Sequence, residues 1–81
     1  MTLRLQPVRV ATDSEDAEGL LVFARDNLVA VLVRLSDDQS DDTGKWFLEA
    51  GFGRIYRSRP PIFSSLDRAQ EWIAASLAAE N

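Results

Sequence analysis

Residues 28–35 read Leu-Val-Ala-Val-Leu-Val-Arg-Leu, an apolar run broken only by Arg34. Strand side chains alternate between two faces. As a strand, the run shows Leu28, Ala30 and Leu32 on one face and Val29, Val31, Val33 and Leu35 on the other. A strand that is apolar on both faces sits in the middle of its sheet and needs cover on both sides. Any fold for the chain must provide that cover.

The neighbouring segments supply the sheet. Leu20 to Ala24 reads as a strand, with Leu20, Val22 and Ala24 opposed to Leu21 and Phe23. Arg25-Asp26-Asn27 joins it to the apolar run. Asp and Asn tolerate left-handed geometry and suit a tight hairpin. Lys45 to Gly51 reads as a third strand, with Trp46, Leu48 and Ala50 opposed to Phe47, Glu49 and Gly51. Closely spaced consecutive strands pair antiparallel. Residues 3–10 (LRLQPVRV) also alternate, but the phase slips by one at Pro7. Proline donates nothing to a ladder, so this segment is expected as a bulged edge strand or a tail.

A single helix is expected over residues 64–79. Ser64 is placed to cap its first turn, with Asp67 three residues on. Leu66, Ala69, Trp72, Ile73, Ser76 and Leu77 recur at helical spacing, and Arg68, Glu71 and Ala75 fall opposite. Before the helix, Pro60-Pro61 blocks regular structure, and residues 53–63 are expected to be irregular. The fold class is therefore α+β: a three- or four-stranded antiparallel sheet, in the order β-β-β-α, packed on one C-terminal helix. The 81 residues form one domain, with residues 1–18 an edge strand or tail plus an acidic loop and residues 20–52 the antiparallel strands.

One helix covers one sheet face. Leaving a large aliphatic side chain exposed forfeits about 1.5–3 kcal/mol. The whole stability of a chain this size is roughly 4–12 kcal/mol. Three or four exposed side chains would thus consume most of it. The second face, with Val29, Val31, Val33, Leu35 and Phe47, is expected to meet a partner, either a second copy of the chain or another protein. Cover by residues 1–18 and 53–63 is the internal alternative.

Composition narrows the chemistry. The sequence contains neither cysteine nor histidine. That removes disulfides, thiolate nucleophiles, the commonest general base and the commonest metal ligand. The acids lie mostly in loops, and Glu49 alone stands mid-strand, so no acid–base pair can be named. A non-enzymatic protein without a cofactor is the expectation. The N-terminus has no apolar stretch of signal-peptide length, and Leu28 to Val33 is too short to span a membrane, so a cytoplasmic protein is expected.

Charge is unevenly placed within a net −4. Residues 12–44 hold nine acids against Arg25 and Arg34, whereas residues 45–59 hold Lys45, Arg54, Arg57 and Arg59 against Glu49. The strip Arg54, Tyr56, Arg57 and Arg59 is the alternative site. Arginine grips phosphate and tyrosine stacks on a base, which would make the chain a nucleic-acid-associated regulator. An acidic chain is repelled by nucleic acid overall, and these arginines can instead pair with its own acids. In the loop 37–44, Asp38, Ser40 and Asp42 fall on the first, third and fifth positions of a calcium loop and Glu49 on the twelfth. Its glycine is one residue late and its flanks are strands, so a solvated loop without metal is expected. Trp46, Phe47 and Trp72 read as core, with a small-ligand pocket as the alternative.

The order strand, strand, strand, helix, with the helix opening Ser64-Ser65-Leu66-Asp67-Arg68-Ala69, resembles the partial RNase H-like domain of HicB-type antitoxins over residues 20–79. That resemblance implies an antitoxin-like regulator. Pro60-Pro61-Ile62-Phe63 stands where that family has a glycine-containing turn, and no DNA-binding segment is appended. Likeness of shape does not by itself transfer function.

Overall fold

Five strands lie side by side in sequence order, each antiparallel to the next. They are β1 (Leu3–Arg9), β2 (Glu18–Ala24), β3 (Asn27–Arg34), β4 (Trp46–Gly51) and β5 (Ile62–Phe63), followed by helix α1 (Leu66–Ala78). The computed structural model describes residues 2–11, 18–35 and 44–78. Most of the acidic loop 37–44 lies outside the described residues, and with it the calcium reading. The α+β class with one C-terminal helix is as expected. The strand count is five rather than three or four, because residues 3–9 pair as an edge strand and Ile62-Phe63 adds a short fifth strand.

The centre of the sheet is held by β3, as its two apolar faces require. The helix-side core joins Val22, Ala24, Ala30, Leu32 and Leu48 of the sheet to Ala69 and Ile73 of α1. Ile55, from a single 3₁₀ turn (Gly53–Ile55), is fully buried in the same cluster. That turn presses close on β4: a Cβ added to Gly51 would stand 2.7 Å from the Ile55 carbonyl oxygen. Only glycine allows this approach. Trp72 of α1 packs on Phe63 of β5 with ring centroids 5.4 Å apart. Asp67, Arg68, Glu71 and Ala75 face solvent, so the expected apolar stripe is the buried one.

Two bulges shift the phase of the sheet. Val22 pairs with Ala30 but Phe23 pairs with Leu28, leaving Val29 as the extra residue. Val31 pairs with Ala50 but Leu32 with Leu48, leaving Glu49 as the extra residue. In contrast, β1 runs through Pro7 in unbroken register with β2, so the expected bulge there is absent. The slip in its pattern is a change of face. Leu3 and Leu5 pack on the helix-side core, while Val8 lies on the opposite side, close to Gly19.

Both sheet edges carry proline. An unbroken ladder through the Pro7–Leu20 pair requires the Pro7 nitrogen to face away from β2, since it has no N–H to give. The free edge of β1 therefore lacks a donor at its middle. At the other edge, Pro60 and Pro61 lead into the two residues of β5, and the Pro61 carbonyl accepts from the Leu48 N–H at 3.2 Å.

Candidate protein-contact face

The side of the sheet away from α1 is built by cross-strand pairs, which share a face. One row runs Val8, Gly19, Val33, Phe47, Ile62 across all five strands. The next runs Gln6, Leu21, Val31, Ala50, and a third runs Arg4, Phe23, Leu28. Apart from Arg4 and Gln6 on the edge strand, these side chains are uncharged and almost all apolar. Among the described residues, no element packs over this side. Leu21, Phe23, Val31 and Phe47 are only half-buried, and Ile62 is 46% exposed.

Four of the five residues expected on this face are compatible with it, and one is not. Val31, Leu35 and Phe47 are half-buried. Val33 is 2% exposed yet stands outside the helix-side cluster. Its row neighbours are Phe47 on one side and Gly19 on the other. A Cβ on Gly19 would meet Val10 Cγ2 at 2.7 Å and Val8 Cγ2 at 3.6 Å, so those valines fill the space above the glycine. Val29 is the correction. As the bulged residue it belongs to the helix-side core, 8% exposed, and Leu28 takes the outward position beside Phe23. Leu21, Phe23, Leu28 and Ile62 complete the face. The alternation of Leu21 and Phe23 against Val22 was a signal for the first two; Leu28 and Ile62 needed the register.

The margin is partly dressed. The Arg4 guanidinium lies 4.2 Å from the centre of the Phe23 ring. A cation over an exposed ring is worth about 0.5–1 kcal/mol. Of the described acids, all but the bulged Glu49 stand away from the face. Glu18 pairs with Arg34 at 3.7 Å, Asp26 is in the hairpin turn, and Asp67 and Glu71 are on the solvent side of α1. Glu49 lines a small cleft with Tyr56, Arg57 and Pro60 at the β4 edge.

The described residues cover this face only at one end, where Val8 and Val10 stand over Gly19 and Val33 is 2% exposed. Residues 3–9 extend the sheet rather than crossing it, and Ile55 in segment 53–63 is buried on the helix side.

The basic strip has a structural use. Arg57 donates to the carbonyl oxygens of Arg54 and Tyr56, both at 2.7 Å, and to Ser76 Oγ at 3.5 Å. Its guanidinium lies 4.8 Å from the centre of the Trp72 ring. Arg54 donates to the Leu77 carbonyl at 3.2 Å, one of the carbonyls that the end of a helix leaves unpaired. Two of the four residues thus tie segment 53–59 to α1, and Tyr56 and Arg59 are left exposed. For Arg57, carbonyls, a hydroxyl and a ring take the place of the expected acidic partners.

No described helix is long and apolar enough to cross a membrane, and among the described residues no cluster of His, Cys, Asp or Glu could hold a metal ion. No protein-family model, curated protein or solved structure matches this chain, so the likeness to HicB-type antitoxins rests on the order of elements and the helix opening at Ser64.

Proposed function

We propose that this chain is a non-enzymatic cytoplasmic protein that works through protein–protein contact, forming a homodimer through the open face of its sheet. The observation that carries the reading is the uncovered row structure of Leu21, Phe23, Val31, Phe47 and Ile62. Three features favour a second copy as the occupant. None of the three cross-strand rows of the face holds an acid, so two chains of net charge −4 meet there with only the bulged Glu49 at the β4 edge nearby. Strands spaced about 4.8 Å apart, with four of about 20–26 Å and β5 of about 7 Å, give a sheet of roughly 500 Å² in projection. Prolines at both edges disfavour strand addition, which leaves the face as the surface for association.

Sedimentation equilibrium tests this. The chain at micromolar concentration should weigh twice its 9.0 kDa, and Phe47→Glu, which places two carboxylates at an isologous contact, should return it to one chain with an unchanged circular-dichroism spectrum. A one-chain mass for the unaltered protein at high micromolar concentration refutes the dimer. The nucleic-acid alternative is disfavoured by the ties of Arg54 and Arg57 to α1.

A further inference from the structure

On the helix side, beside Leu66 at the start of α1, lies a cleft of about 470 Å³. Pro7, Leu20, Trp46 and Leu66 line it, and Arg9 and Glu18 stand at its rim. That volume falls within the ~300–1,000 Å³ of small-molecule sites. The rim belongs to a charged row. Arg9 pairs with Glu18 across β1 and β2, Glu18 meets Arg34 of β3 at 3.7 Å, and Arg34 pairs with Trp46 of β4. The row holds two guanidiniums and one carboxylate, a net charge of +1. Among the described residues, Arg34 takes that carboxylate and no carboxylate lies within ion-pair distance of Arg9. An apolar floor beside a cation that no described carboxylate pairs is complementary to a molecule with an apolar body and one anionic head. Charge-assisted hydrogen bonds from a guanidinium suit a carboxylate in particular. Glu18 and the acidic surroundings disfavour more highly charged anions.

We propose that this cleft binds a small amphipathic monocarboxylate, with its hydrocarbon or aromatic body against Leu20, Trp46 and Leu66 and its carboxylate on Arg9. Its apolar floor, Leu20, Trp46 and Leu66, lies on the helix side of the sheet, although Val8 and Gly19 from one row of the open face also line the cleft. Trp46 is a built-in reporter, because Trp72 packs against Phe63 and Arg57 and does not line the cleft. Tryptophan emission is followed while octanoate, or uncharged octanol, is added to the full chain. Octanoate should change the emission saturably in the unaltered protein and in Trp72→Phe, but not in Trp46→Phe. Arg9→Gln should weaken octanoate about tenfold, the factor a charge-assisted hydrogen bond is worth, and leave octanol unaffected. Arg9 is exposed, so this variant keeps the fold, which circular dichroism verifies. The proposal is overturned if octanoate gives no saturable response, if octanol binds as tightly, or if Arg9→Gln binds octanoate like the parent.

Discussion

Single residues do more joining in this protein than their types suggest. Arg57 touches a ring, a hydroxyl and two carbonyls, and so fixes a segment that has no regular structure of its own. The helix start depends on a hydroxyl in the same way. Ser65 Oγ accepts from the Arg68 N–H at 3.2 Å, and the Ser65 carbonyl accepts the Ala69 N–H at 3.1 Å, so Ser65 is the cap. The sequence pointed one residue earlier, to Ser64, because Ser64 and Asp67 imitate a capping box. Two adjacent serines cannot be told apart by spacing. What separates them is where Phe63 must lie to be buried against Trp72. Ser65→Ala should therefore lower stability by about 1 kcal/mol in urea unfolding, with Ser64→Ala within a few tenths of the parent. Equal effects of the two would remove Ser65 from the role.

At the scale of elements, what was legible followed from strong patterns, and what was missed followed from their absence. The helix stripe and the β2–β3 hairpin could be read because apolar and polar residues alternate or recur there. The bulge at Val29 could not, since a run that is apolar on both faces looks the same in either phase. The bulge at Glu49 was hidden for a related reason: Ala50 and Gly51 have too little side chain to declare a face. The fifth strand is two residues long and follows two prolines, below the length any periodicity can reveal. The hairpin turn also differs in its particulars. Arg25, rather than Asp26 or Asn27, takes the left-handed conformation, with φ of 59°. Left-handed geometry costs a side-chain-bearing residue about 1–2 kcal/mol, and glycine escapes it. Arg25→Gly should accordingly raise the unfolding free energy by up to about 1 kcal/mol, after its greater unfolded-state entropy is counted. A loss of stability in thermal or urea unfolding would mean that the arginine side chain contributes more than its backbone strain costs.

Considered whole, the described residues form a sheet with one dressed face, one open face and two guarded edges. The open face was legible in the sequence, because a strand apolar on both sides and a single helix leave a surplus that no arrangement of the described elements removes. The cleft near Arg9 was not, since it depends on where the first turn of the helix lies relative to the strands. The edges matter because an open apolar face makes a sheet prone to further association. A sheet that also offered free N–H groups along β1 could add strands without limit. Pro7 interrupts that row at its centre, in a strand otherwise able to pair on its outer side. Pro7→Val restores an outward donor and adds a residue that favours strands. The variant should sediment as species heavier than two chains, growing with concentration, and should bind thioflavin on standing where the parent does not. Combining it with Phe47→Glu should leave this growth in place, because edge pairing and face packing are different contacts. If Pro7→Val keeps the parent's mass at every concentration, the edge is protected by something other than its missing donor, and the Arg4 and Arg9 side chains flanking it become the next candidates.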